Sequence, residues 1–254
     1  RDDWDRFICI FNRCLGFSPY TIPLNKEFLE LSGIMRGDEN DNFILIGIDG
    51  KEEGVIHVSL YKGSFCQNET VGLIHMLLAT SDNMAQSLLI KAEEWYKKKG
   101  IQNILAYWWY EGINPYNHIH LGAETYVWAG AYTTRNAFRR EKYDVGFETL
   151  CMYLALPIEP EVFMPSLEGV TFEEKHDLNN KLVIAGEFTA HLNGKKVGWC
   201  SYQYLVAISE KYNKGIGQFS ISSDADMHGT GVGKALLTRA HQRLYSYGAR
   251  QIIL

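Results

Sequence analysis

The stretch His228-Gly229-Thr230-Gly231-Val232-Gly233-Lys234-Ala235-Leu236-Leu237 sets the reading of this chain. Three glycines in five positions permit positive φ and a close backbone approach, and an amphipathic stripe of Val232, Leu236, Leu237, Ala240 and Leu244 begins directly after them. The pattern predicts a tight turn feeding a helix whose first N–H groups are unsatisfied and aimed outward with the positive end of the helix dipole, an arrangement that suits phosphate oxygens. It is neither a Walker A loop, because Gly233-Lys234 is followed by Ala235, nor a dinucleotide G-x-G-x-x-G turn. The same glycines can also serve tight packing with no ligand at all.

Working outward, the helix has a twin. Leu88, Leu89, Ala92, Gly100 and Ile104 recur as Leu236, Leu237, Ala240, Gly248 and Ile252, each 148 residues later. In the first copy Met84, Leu88, Leu89, Ala92 and Trp95 predict a helix over about 84–99, closed by Lys97 to Lys99 and Gly100. Each helix is preceded by a strand (Val71 to Ala79; Gly217 to Ser222) and by two β-prone runs around a Gly-containing turn, 43–48 with 54–61 and 186–192 with 196–205. Each helix is followed by a short apolar strand, Arg250 to Leu254 in the second copy. The expected class is α/β (α+β), two mixed sheets in tandem. Pro157, Pro160 and Pro165 mark a linker, giving domains 1–156 and 157–254. The opening stripe Trp4, Phe7, Ile8, Phe11 and Leu15 has no counterpart after the linker, and Leu254 aligns with Ala106, so the second copy reads as abbreviated at both ends.

Composition bounds the function. With 254 residues, 46% apolar and 22% charged, the chain is globular, and net charge −5 disfavours a nucleic-acid partner. No apolar run approaches a membrane span, so a cytoplasmic protein with no membrane partner is expected. Cys9, Cys14, Cys66, Cys151 and Cys200 are odd in number and lack a C-x-x-C pair, which argues for reduced thiols and against a zinc ribbon. His118 and His120 form an H-x-H without an evident carboxylate partner, and no metal is expected. Tyr107, Trp108, Trp109 and Tyr110 form an aromatic run that fits an interface better than a substrate wall.

At Gly231-Val232-Gly233 the chain resembles the GNAT N-acetyltransferase superfamily, whose pyrophosphate signature is [RQ]-x-x-G-x-[GA] between the fourth strand and third helix. Its first position falls on His228, a weaker permanent cation than arginine. In the first copy the signature falls on Thr80, Asn83 and Ala85, an eroded cradle, and residues 136–156, with Ala137, Gly146-Phe147 and Met152, resemble that domain's closing helix and strands. The resemblance implies acetyl-CoA as co-substrate, its diphosphate on His228, Gly229, Thr230, Gly231, Val232, Gly233 and Lys234. It also implies a pantetheine arm along Phe219, Ile221, Ser222 and Ser223, where a backbone N–H meets the thioester oxygen. Asp224 and Glu210 flank that strand as candidate bases acting through water, and no residue presents itself as the general acid. The expected activity is acetyl transfer to a small-molecule amine, net negative charge suiting a cationic acceptor, with a homodimer as a possible assembly. Two other readings stay open: an acyl-CoA sensor without turnover, and a scaffold or oligomerisation module of the same fold.

Overall fold

The computed structural model describes residues 3–15, 21–32, 34, 42–62, 69–107, 115–116, 119, 132–145, 153–165 and 167–253. His118, His120, Trp108, Trp109, Tyr110, Gly146, Phe147, Met152, Cys66 and Cys151 lie outside them. The chain divides into two compact units, Arg1–Thr149 and Leu150–Leu254.

In the first unit, α1 (Trp4–Leu15) and α2 (Lys26–Ser32) precede a sheet built from β1 (Asn42–Asp49), β2 (Glu52–Lys62), β3 (Thr70–Ala79) and β4 (Ile104–Ala106), in that spatial order. The first three strands are antiparallel, and β3 runs parallel to β4 because the crossover helix α3 (Asp82–Lys98) joins them. Gly47, Gly54 and Gly72 let α3 lie close: a Cβ at any of them would collide with Met84, Leu88 or Tyr96. On β2 and β3, His57 and His75 are buried with ring centroids 4.8 Å apart. The His57 ring meets Tyr116 Oη at 2.9 Å and Asn42 Oδ1 at 2.5 Å, while His75 meets Ser59 Oγ at 2.7 Å. Burial holds both imidazoles neutral, pushing His75 down to about 4 and His57 well below the ordinary value, with the His75 neighbour adding to the effect on His57.

The second unit is a six-stranded sheet in the order β5-β10-β9-β8-β7-β6, from β5 (Tyr153–Ala155), β6 (Val170–Asn179), β7 (Ile184–Leu192), β8 (Lys195–Tyr204), β9 (Ile216–Ser223) and β10 (Gln251–Ile253). Crossover helix α6 (Val232–Ser246) joins β9 to its parallel partner β10 and buries Val232, Leu236, Ala240 and Leu244 on Phe188, Ala190, Cys200 and Tyr202 of the sheet. The apolar stripe read from the sequence is this contact. Cys200 is buried and its thiol pushed up to about 12 by burial, an inert core position.

Two features depart from the sequence reading. Residues 153–155, assigned with 136–156 to the closing part of the first domain, pair antiparallel with β10 and close the second sheet, so the units part at 149/150 rather than 156/157. The cause is the unfilled edge of β10, whose free N–H and C=O groups a strand satisfies. Of the 136–156 segment, α4 (Tyr132–Arg140) does pack on α3 of the first unit, with Asp82 accepting hydrogen bonds from Asn136 (2.9 Å) and Arg140 (3.3 Å). The second departure is β6, which Arg243 on α6 ties to the sheet. Its Nε donates to Glu174 Oε1 at 2.7 Å and its terminal nitrogen bonds Glu174 Oε2, while Tyr202 Oη donates to Glu174 at 2.6 Å. Burial pushes the Glu174 carboxyl up, but the hydrogen bonds from Arg243 and Tyr202 outweigh it and hold the group below its usual range.

Candidate functional site

The glycine loop lies where β9 hands over to α6, after a 3-10 turn (Ala225–Met227). Gly231 is the helix N-cap with φ 86° and Gly229 has φ 78°, both left-handed conformations that a Cβ disfavours. Within the turn, His228 N–H donates to Ala225 O (3.1 Å) and Thr230 N–H to Met227 O (3.2 Å); the next backbone N–H with an acceptor is that of Ala235, on Gly231 O (2.9 Å). The amides of Gly229, Gly231, Val232, Gly233 and Lys234 have no acceptor among the described residues, and no side chain caps the helix. A Cβ at Gly229 or Gly233 would meet no atom within 4 Å, so the loop opens to free space on those sides. At Gly231 one side is covered by Phe163 and Pro165 of the linker, the Phe163 ring standing 2.8 Å from where a Cβ would be. The Lys234 ammonium lies over that ring, 4.2 Å from its centroid, which holds a positive charge beside the amides. Phe163 is fixed through its backbone, its N–H on Thr238 Oγ1 (2.9 Å) and its C=O on Arg239 (3.1 Å). Outward amides, a positive helix end and one aromatic wall form a geometry that suits an anion.

β9 runs into this loop. It pairs with β10 at Ile216, Gly217 and Gln218, and residues 219–223 stay paired to β8 on the other side. The first unit pairs its parallel strands at Gly72, Leu73 and Ile74 with β4, and the Tyr107 N–H also bonds Ile74 O (2.8 Å). Phe219 faces α6, with its ring edge on His241 (5.1 Å between centroids), and alternation puts Ile221 and Ser223 on that face and Ser222 on the other. Burial lowers the His241 pKa, and its Nε2 has no partner among the described residues.

The first unit fills the corresponding positions with its own atoms. Ser81 caps α3, its Oγ accepting from the Met84 N–H at 3.1 Å, and Asp82 adds a carboxylate in the first turn, cancelling the positive helix end. Gly72 and Gly217 hold equivalent places in the register, and β3 carries one extra residue at His75, so Leu77, opposite Ile56, is the counterpart of Ile221, opposite Cys200. The Leu77 peptide is taken up by Tyr107, whose Oη accepts from its N–H (3.0 Å) and donates to its C=O (3.2 Å), and by Thr134 Oγ1, 2.7 Å from the same carbonyl. Thr133 occupies the Ala79 carbonyl at 3.3 Å. Sequence reading found the eroded cradle at Thr80, Asn83 and Ala85; the filled strand edge needed three-dimensional proximity between residues 30 to 57 positions apart. It also took the copies as collinear, whereas the second strand-to-helix turn is four residues longer, since the strand ends align at an offset of 144 after the extra residue in β3 and the helices at 148.

The two candidate bases are not brought together. Asp224 stands at the start of the 3-10 turn beside the loop, its N–H on Val197 O (3.0 Å) and its side chain exposed. Glu210 sits on α5 (Val206–Tyr212), which packs on the opposite end of β9 through Ser209 and the Ile216 N–H (2.9 Å). Seven strand residues separate those ends, roughly 23 Å at about 3.3 Å each. Among the described residues no group of three or more His, Cys, Asp or Glu could hold a metal ion, and no helix is long and apolar enough to cross a membrane.

Against solved structures, the chain superposes over its full length on the GCN5-related glucosamine N-acetyltransferase region of a fungal multi-domain GH3 β-N-acetylglucosaminidase, with TM-score 0.64 and 13% identity. It superposes over 98% of its length on a tandem GNAT protein from the clavulanic acid biosynthesis pathway, with TM-score 0.63 and 9% identity. The chain has the tandem GNAT fold. It spans 34% of the fungal chain and 84% of the tandem GNAT protein. No family model and no curated protein sequence matches it, so the GNAT likeness is one of fold. The open cradle of the second unit and the filled one of the first are features of this chain's own residues.

Proposed function

We propose that the second unit binds acetyl-CoA, its diphosphate on the amides of residues 229–234 and its pantetheine arm along 219–223, and transfers the acetyl group to a small-molecule amine. The observation that carries this reading is the run of unpaired amides at the start of α6, open on the Gly229 and Gly233 sides and flanked by the Lys234 ammonium. The fold supports it, since both likenesses are to GNAT proteins and one is described as a glucosamine N-acetyltransferase. In this reading the neutral amine attacks the thioester carbonyl, a β9 amide near Ser222 and Ser223 stabilises the oxyanion, and the electron pair leaves on the CoA sulfur. Lys234, placed by Phe163, supplies the fixed cation that His228 does not. Of the two carboxylates, Asp224 is kept as the base acting through water because it shares the loop's end of β9; Glu210 is set aside on distance. The first unit takes no coenzyme, since Ser81, Asp82, Tyr107, Thr133 and Thr134 occupy its equivalent groups.

The test is CoA release by the full chain supplied with acetyl-CoA and a panel of small amines, alongside calorimetry. Turnover is expected, with one coenzyme per chain, and Asp224→Asn should lower kcat at least tenfold with an unchanged acetyl-CoA Kd. Binding without release with any amine would leave the sensor reading; absence of binding would leave the scaffold.

A further inference from the structure

The linker segment 157–165 is docked along α6 and brings an aromatic ring to the mouth of the glycine loop. Gln242 donates to Glu159 Oε1 at 3.2 Å near one end of it, and near the other the Phe163 N–H sits on Thr238 Oγ1 while its C=O accepts from Arg239. Arg239 is fixed in turn, its guanidinium 3.7 Å from the centroid of the Phe172 ring on β6 and bonded to Ala235 O at 2.9 Å. These bonds hold the backbone of Phe163, so its place does not depend on what the ring touches. The ring is half-buried and Lys234 is exposed. They stand close together at the loop, with 4.2 Å from the ring centroid to Lys234 Nζ and 2.8 Å from the ring to the Gly231 Cβ position.

Lys234 lies in the first turn of α6, which holds no acidic residue and where the helix dipole disfavours a cation. On the ring it gains a weak cation–π contact, whereas a phosphate oxygen offers a charge-assisted hydrogen bond. An anion on the unpaired amides therefore draws the ammonium off Phe163 and bares a ring face beside itself. A planar aromatic group suits that face, and a nucleotide is an anion that carries one. A diphosphate diester has a substituent at each end. In the reading above the pantetheine leaves toward β9, on the flank of α6 where His241 meets Phe219; the linker segment lies on the flank of Arg239 and Gln242, which is left for the other substituent. We propose that Phe163 is the nucleoside subsite of this loop, the coenzyme's adenine stacking on its ring in place of the Lys234 ammonium, which moves onto the diphosphate. The inference rests on the acetyl-CoA reading and sharpens it: the second unit prefers a thioester on a free nucleotide to the same phosphopantetheine arm carried on a protein, which brings no base.

The experiment is calorimetric titration of the full chain, and of Phe163→Leu and Phe163→Trp, with acetyl-CoA, with ADP and with 4′-phosphopantetheine, which has the arm and a phosphate but no nucleoside. Base-on-ring stacking is worth about tenfold in affinity, so Phe163→Leu should weaken acetyl-CoA and ADP about tenfold and leave 4′-phosphopantetheine within about twofold. Phe163→Trp should restore both nucleotides, and ADP should quench the fluorescence that the added indole contributes over the parent. Acetyl-CoA affinity unchanged in Phe163→Leu overturns the proposal and leaves the acetyl-CoA reading standing. An equal loss for all three ligands also overturns it, since the ring would then serve only to hold the linker and Lys234. ADP binding that depends on Phe163, with no acetyl-CoA binding, strikes the acetyl-transfer reading and leaves the nucleoside subsite standing.

Discussion

Gly233→Glu separates a ligand's demand from the fold's. Gly233 is inside the first turn of α6, its φ is not left-handed, and an added Cβ meets no atom within 4 Å, so neither backbone nor packing requires glycine there. The protein alone should gain from the change. Replacing glycine in a helix recovers roughly 0.6 kcal/mol of propensity, and a carboxylate in the first turn adds about 0.3–1 kcal/mol against the dipole. Together these give about 1 kcal/mol, or roughly 3–5 °C in the melting of the second unit. The coenzyme should lose. A carboxylate about 5 Å from a diphosphate charge, at an effective dielectric of about 20, costs roughly 3 kcal/mol, about a hundredfold in Kd. Differential scanning calorimetry and titration with acetyl-CoA read the two effects on one sample. A raised Tm with affinity unchanged would refute the placement of the diphosphate, and a lowered Tm would refute the claim that the loop's glycine is free of packing.

Three further outcomes follow from the same geometry. His57 and His75 have lowered pKa values in the folded state, so between about 6.5 and 4 the unfolded chain binds more protons and stability falls with pH. His75 alone removes about 2 kcal/mol by pH 5, whereas stability is flat above pH 7; urea unfolding of the first unit at pH 7 and 5 should show that loss, and its absence would mean the imidazoles are not neutral in the fold. Tyr107→Phe leaves the Leu77 N–H unpaired and should cost about 1–3 kcal/mol in the first unit's unfolding without changing a coenzyme stoichiometry of one; a second bound equivalent would contradict that. Arg243→Met should cost about 1 kcal/mol, the ion pair being partly solvent-screened, and should raise hydrogen exchange along β6 before the rest of the sheet; uniform exchange would show that Glu174 does not secure that strand.

How much of this was legible in the sequence depended on whether its signal was local. The helices at 84–99 and from 232, and the strands before them, were readable because a crossover helix between parallel strands must show its core-facing stripe in register with its neighbours. The glycine loop was readable for the same reason, since its positive-φ positions are a local demand. β6 was not. Its inward positions run Val170, Phe172, Glu174, His176, an apolar start that turns charged midway, and only Arg243, 69 residues on, makes Glu174 acceptable there. β5 was assigned to the wrong unit because three residues before a proline-rich linker carry no mark of which sheet edge they will fill. The filled groove of the first unit is a fact about which residues meet in space, and an isolated Thr in a β-prone run says nothing of its partner. Phe163 was read only as part of a linker, although a lone aromatic between prolines was a signal that the segment docks.

The most direct measurement is an amide-resolved NMR titration of the full chain with acetyl-CoA. The account predicts saturable shifts at Gly229, Gly231, Val232, Gly233 and Lys234 and along 219–223, with Ser81 to Ala85 and Leu77 unmoved. Shifts centred on Ser81 to Ala85, or none at the glycine loop with coenzyme in excess, would contradict it.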